Sequence, residues 1–194
     1  MMSVRIATTF CIGVASLIGA SHTFAATFSV GSDVACTTNS LQSAITSAGS
    51  SPGPDLIRVA SNQTYTAQAL TIGQQDLIIE GGYADCSAAT PTASTLISGQ
   101  GGSAASVFRI TGSGVRDLRR MSIIRGDVSP LTGEGGGINF AGSGELILRN
   151  VAINQNTAAY GGGINFRATA VPAVLTLESG TTVSFNTAQI SGGG

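Results

Sequence analysis

Short alternations of apolar and polar residues run along most of this chain, and one stretch breaks the rhythm. Thr27-Phe28-Ser29-Val30 reads as a first strand. Leu41, Ala44, Ile45 and Ala48 then fall at i, i+3, i+4 and i+7, the apolar face of a helix over 41–48. Asn39 or Ser40 can cap that helix, and Gly49 to Pro54 end it. The period of two returns in Leu56–Val59, Ala69–Ile72, Leu77–Glu80, Thr95–Ile97, Val107–Ile110 and Met121–Ile124, with Gly, Asn, Asp, Ser and Pro between them.

The second half of the chain repeats itself. Gly135-Gly136-Gly137-Ile138-Asn139-Phe140 recurs as Gly161-Gly162-Gly163-Ile164-Asn165-Phe166, and a third glycine triplet stands at 192–194. Glycine triplets favour tight bends and close backbone approach, and the Ile-Asn-Phe that follows alternates as a half-buried strand does. Leu118, Met121 and Ile123 recur thirty residues on as Leu148, Val151 and Ile153, and Asn156-Thr157-Ala158 recurs as Asn186-Thr187-Ala188. The triplets are 26 and 31 residues apart, which puts the insertions at loops. Such a period with strand content signals a solenoid. Helical repeats of similar period fit poorly, because the runs are short and rich in β-branched residues.

The expected fold is all-β, a parallel β-helix with a short N-terminal capping helix. Residues 26–55 form the first strand and the helix, which covers the opening coil, and residues 56–194 form the coils. Each position then stacks on its equivalent one coil away. Ile138 meets Ile164 and Phe140 meets Phe166 inside, and Asn139 and Asn165 face outward. Asn156 and Asn186 form an amide ladder at a bend. Each glycine triplet marks a corner. Gly194 closes a triplet that elsewhere opens a strand, with no cap after it, so the chain is expected to be the N-terminal piece of a longer protein.

Composition narrows the setting. At 194 residues, 42% of them hydrophobic, the chain suits one domain with a sizeable core. Only 10% of residues are charged, every one of the nine basic residues is arginine, and the net charge is -1. That balance gives no general attraction to nucleic acid or to acidic membranes. Arg5, the apolar run Phe10–Ile18 and the small-residue pattern Thr23-Phe24-Ala25 read as a secretory signal over 1–25, cleaved before Ala26, in preference to a buried N-terminal helix. No other stretch approaches the roughly 20 apolar residues of a membrane helix. Cleavage removes Cys11 and the sole histidine, His22. Cys36 and Cys86 remain, and in an oxidising compartment an isolated pair favours a disulfide over two buried thiols. No metal site is expected, since neither a histidine nor a further cysteine remains to complete one.

The leader, SLQSAI, DLIRVA, LTI, DLIIEGGY and the repeated NTA…GGGI units together resemble bacterial right-handed parallel β-helix proteins of the pectin-lyase-like superfamily. The GGGI units and Phe185-Asn186 are similar to the GGAI and FxxN repeats of polymorphic outer-membrane, autotransporter-like adhesins. The resemblance implies a right-handed coil and an exported protein, extracellular or on the bacterial surface at the outer membrane. It leaves activity open, because that superfamily holds polysaccharide lyases, hydrolases and non-catalytic surface proteins.

The candidate chemistry is confined to one charge-dense stretch, where Asp117, Asp127 and Glu134 lie near Arg116, Arg119, Arg120 and Arg125. Its spacing matches no paired-carboxylate glycosidase pattern, and no histidine of the mature chain is left to activate a nucleophile. It reads first as a solvated outer face, with arginines alternating against inward Leu118, Met121 and Ile123. The competing reading makes Arg116, Arg119, Arg120, Arg125 and Asp127 a saccharide contact, with Ca²⁺ entering only if the protein is a pectate-lyase-like enzyme. Tyr65, Tyr83 and Tyr160 are expected as edge packing rather than sugar platforms. The favoured function is a non-catalytic exported module, a stalk or adhesin-like passenger without a cofactor, with a polysaccharide or a host or matrix surface as partner. The alternative is a polysaccharide-active enzyme.

Overall fold

Each strand-like run of the sequence becomes a strand paired in parallel with its counterpart one coil away. The computed structural model describes residues 24–73, 75–102, 104–128 and 133–193; most of the expected leader, with Cys11 and His22, lies outside them, as does Gly194. The elements are β1 (Thr27–Val30), α1 (Leu41–Ala48), β2 (Asp55–Ala60), β3 (Leu70–Ile72), β4 (Leu77–Tyr83), β5 (Thr95–Ser98) and β6 (Phe108–Gly112). They continue as β7 (Val115–Ile124), β8 (Asp127–Val128), β9 (Ile138–Asn154), β10 (Thr157–Tyr160), β11 (Ile164–Leu177), β12 (Thr182–Val183) and β13 (Thr187–Ser191). Together they make a parallel β-solenoid of about five turns.

The inward columns show why the sequence repeats. Ile57, Ile79, Leu118 and Leu148 stack in register. So do Ile97, Ile123, Ile153 and Val183. Ile72, Ile110, Phe140 and Phe166 form a third column. The Phe140 and Phe166 rings stack with centroids 4.4 Å apart, an arrangement that contributes about 0.5–1.5 kcal/mol beyond burial. A parallel strand buried on its inner face presents the same position to the coil above and the coil below, so an apolar residue there serves two interfaces at once. The helix α1 buries Leu41, Ala44, Ile45 and Ala48 and packs on β1, β2 and β3, with Ser40 as its N-cap. The Cys36–Cys86 disulfide, with Cα atoms 5.1 Å apart, ties the segment before α1 to the turn after β4.

Corners are columns too. The first glycine of each triplet has left-handed backbone, with φ of 63° at Gly135, 58° at Gly161 and 77° at Gly192. In the first triplet the second and third admit the neighbouring coil: a Cβ on Gly136 would lie 2.6 Å from the carbonyl oxygens of Gly162 and Thr157, and one on Gly137 2.6 Å from that of Gly163. Side chains would push the coils apart.

Asn156 closes another corner from inside. It is fully buried; its Oδ1 accepts from Gly126 N at 2.8 Å, and its Nδ2 donates to Ile123 O, Asn154 O and Asn186 Oδ1 at 3.1, 3.0 and 2.9 Å. Asn186 repeats the pattern, donating to Ile153 O and Ser184 O at 2.9 and 3.1 Å. Asn139 and Asn165 are half-buried and form a second amide contact of 3.3 Å on the outer side. Most of the irregular spacing of the triplets is absorbed between Ala168 and Ala173 of β11, opposite Gly142 and Gly144 of β9, and the remainder between Leu177 and Thr182 and between Ala158 and Tyr160.

Candidate functional site

The charge-dense stretch does not form one patch. Its residues go to four places, one of them the pairing of Glu134 with Arg167 at 3.4 Å.

Arg116 goes inside, which corrects the reading of this segment as a solvated face. It is 0% exposed and sits in register between Leu77 and Leu146. Strand alternation puts residues 116 and 118 on the same face, so inward Leu118 takes Arg116 in with it. Its Nη1 donates to Gly114 O and Ser143 O at 2.8 and 3.1 Å, and its Nη2 to Gly73 O and Thr111 O at 2.9 and 2.6 Å. Burial pushes the guanidinium below its ordinary pKa, with nearby Asp76 opposing. The side chain gathers the turn carbonyls of three successive coils and is out of reach of a ligand.

Asp117 and Arg119 join an ion-pair ladder on the outer face. Asp117, 4% exposed, accepts from Arg119 Nη2 at 2.7 Å and from Arg149 Nε at 2.9 Å, and Arg149 also pairs with Glu178. The hydrogen bond to Asp117, more than any other influence, holds the Arg149 guanidinium above its ordinary pKa. Arg120 faces Glu80 at 3.8 Å. Apart from Arg119 with Asp117, these ion pairs run across coils, and they leave Asp117 Oδ1 and Arg119 Nε buried without a hydrogen-bond partner among the described residues.

Arg125 and Asp127 line a cleft of about 430 Å³ with Gln100, Gln155, Thr157 and the backbone of Gly99–Gly102. Arg125 bridges two coils, its Nε 3.4 Å from Gln155 Oε1 and its Nη1 hydrogen-bonded to Gln100 Oε1. This corner is a column of non-glycine residues in left-handed backbone: Arg125 at φ 54°, Gln155 at 57° and Phe185 at 55°. The Phe185 ring is 86% exposed, one coil beyond Gln155, with Gln155 N donating to Phe185 O at 3.1 Å. Left-handed backbone costs such residues roughly 1–2 kcal/mol each. The adjacent corner holds Arg120, Asn150 and Gly180 at positive φ, and two of those three are types that adopt it readily. Arg, Gln and Phe at the cleft corner are therefore not what the bend alone would select.

Sequence reasoning did not single out Gln100 and Gln155 as lining a cleft, nor Phe185 as exposed at the same corner. The thirty-residue offset from Arg125 to Gln155 to Phe185 was the available signal. Of the tyrosines, Tyr65 and Tyr83 are buried; their hydroxyls donate to Val30 O at 3.0 Å and Glu80 Oε2 at 2.9 Å, and Arg58 lies 4.2 Å over the Tyr83 ring. Burial pushes both phenols up from their ordinary pKa. Among the described residues no group of three or more His, Cys, Asp or Glu is placed to hold a metal ion, and no helix is long and apolar enough to cross a membrane. Set against protein-family models, curated proteins and solved structures, the chain finds no match.

Proposed function

We propose that the chain is an exported, cell-surface or extracellular β-helix module that binds a hydroxyl-rich saccharide rather than transforming it, an adhesin- or passenger-like role. The leader pattern at 1–25 and the Cys36–Cys86 bridge support export to an oxidising compartment. The likeness of the GGGI units to bacterial surface β-helices supports the surface setting. The observation that carries the binding role is the cleft corner, where Arg125, Gln155 and exposed Phe185 are kept in a strained backbone. Amide donors and acceptors, a guanidinium, a carboxylate and a hydroxyl line the cleft, and an exposed ring continues it. That set suits a ligand with many hydroxyls and an apolar ring face. The carboxylate and guanidinium groups at 116–120 are engaged in the solenoid, which favours binding over catalysis.

The test is titration of the exported protein with cellohexaose and with polygalacturonate, followed by calorimetry, with products assayed in parallel. Binding without new reducing ends or unsaturated products is expected. Gln155→Gly and Phe185→Gly should weaken it about tenfold each, the loss of a stacked or hydrogen-bonded contact worth about 1.4 kcal/mol, with no fall in Tm because the backbone strain is relieved. Equal binding by the glycine variants would remove the cleft from the proposal. Chelator-sensitive cleavage of polygalacturonate, lost in Arg120→Ala, would establish the lyase-like alternative instead.

A further inference from the structure

Asp55 opens β2 and is 1% exposed, yet it belongs to none of the ion pairs among the described residues. Its Oδ1 accepts a hydrogen bond of 2.7 Å from the main-chain nitrogen of Ala26. Burial pushes the carboxyl above its ordinary pKa, and the bond from Ala26 opposes that rise. A carboxylate withdrawn from water calls for a cation or several donors, and one neutral amide is a weak substitute. Ala26 is also the first residue after the cleavage pattern Thr23-Phe24-Ala25. The atom that Asp55 faces is thus the atom that cleavage changes from an amide to an amine.

We propose that removal of residues 1–25 makes the Ala26 nitrogen an α-ammonium that pairs with the buried Asp55 carboxylate, so that processing locks the first strand onto the solenoid. The inference rests on the export reading above. In the cleavage, catalysed by a signal peptidase, one water adds to the Ala25 carbonyl carbon and the C–N bond to Ala26 breaks. Ala25 leaves as a carboxylate carrying the water oxygen, and the Ala26 nitrogen takes up both of the water's protons to become the ammonium. The remaining strand contacts hold that amine in place: Leu56 N donates to Ala26 O at 3.0 Å, and Thr27 to Val30 pair in register with Leu56 to Val59. Ala25 itself is exposed and is held through its nitrogen to Pro54 O at 2.9 Å, a bond that leaves with the leader. The unprocessed chain therefore keeps a buried carboxylate facing an amide, and the processed chain faces it with a full positive charge.

The composition supplies a clean test. The chain has no lysine, so after processing the α-amine is its only amine. The full chain is expressed with export, its N-terminus is read by intact mass, and the α-amine is labelled with acetic anhydride in the folded and urea-unfolded states. A carboxylate within hydrogen-bonding distance lowers the free-amine fraction roughly tenfold or more. The folded protein should accordingly react at least that much more slowly, and Asp55→Asn should remove most of the protection. Protein acetylated while unfolded and then refolded should melt lower than unmodified wild type, whereas acetylation should leave the Asp55→Asn melting point unmoved. An N-terminus at Ala26 with equal reactivity in both states overturns the ion pair and leaves export standing. A mature chain that still begins at Met1 overturns both.

Discussion

Replacing Arg116 by methionine keeps the apolar stem and removes the guanidinium from four carbonyl oxygens, those of Gly73, Thr111, Gly114 and Ser143. Each acceptor left without its donor in a buried site costs roughly 1–3 kcal/mol, a gross loss of about 4–12 kcal/mol. Two effects reduce it. The desolvation penalty of the buried cation, several kcal/mol, disappears with the charge, and a loosened turn lets water reach some of the carbonyls. A net loss of about 3–5 kcal/mol remains, a large part of the stability of a domain this size. Urea unfolding followed by far-ultraviolet circular dichroism measures it directly. Arg116→Lys should recover about half, because one ammonium has three donors at a single point and cannot span four oxygens in the guanidinium plane. If Arg116→Met unfolds within about 1 kcal/mol of wild type, those four contacts do not hold the coils together, since that is the scale of one ordinary hydrogen bond.

Asn156→Ala should cost about 2–4 kcal/mol by equilibrium unfolding, since it orphans Gly126 N and the oxygens of Ile123, Asn154 and Asn186. Asn156→Asp should be at least as damaging, because it turns a donor facing three oxygens into an acceptor. Gly126→Ala, whose Cβ would lie 1.9 Å from Gly136 O, should cost about 3 kcal/mol, whereas Gly73→Ala meets nothing within 4 Å and should stabilise by roughly 0.4–1 kcal/mol; paired thermal melts decide both. Removing the disulfide as Cys36→Ala/Cys86→Ala frees a loop with a sequence separation of 50 and should lower stability by about 4 kcal/mol in the chain-entropy description. Asp117→Asn leaves Arg119 and Arg149 facing each other, so its instability should shrink as sodium chloride is raised, a trend that a purely steric loss would not show in matched melts.

The parts of this fold legible in the sequence are those that stacking forces to repeat. Ile138 over Ile164, Phe140 over Phe166 and Asn156 over Asn186 each occupy one environment in successive coils, so the same residue type returns at the same interval. Arg116 is not legible in that way, because its residue type points outward while its parity with Leu118 points inward. Its inward place follows from Leu118 two residues on and from Leu146 thirty residues on, but an arginine in an apolar column is admissible only where turn carbonyls converge, and that convergence is tertiary. The cleft escaped for a different reason. Its edges come from the turn at Gly99–Gly102 and from left-handed backbone at Arg125 and Gln155, and neither leaves a periodic apolar trace.

In-register stacking that serves the core well works against charge. Arg119 lies directly over Arg149, with Glu80 on the coil before, and adjacent parallel strands are only about 4.8 Å apart. Like charges stacked at that distance repel. The chain meets the problem by breaking its own repeat: Asp117 replaces the apolar residue found at the equivalent positions Ile78 and Ile147, and one of its oxygens bridges both guanidinium groups. Glu178 extends the relief at Arg149 on the far side. Departures from the repeat therefore fall into two physical kinds. At Asp117 and Arg116 the odd residue answers a demand made by its neighbours in the solenoid: Asp117 Oδ2 takes two guanidinium groups, and the Nη atoms of Arg116 take four carbonyls. At Phe185 the odd residue answers no such demand, adds strain to its own backbone and faces solvent, and exposed Gln155 one coil before it is in the same left-handed backbone and meets a neighbour through the 3.4 Å contact of its Oε1 with Arg125 Nε. Only the second kind has side chains left over for a partner, which is why the cleft corner, and not the stretch richest in charge, is the place to look for one.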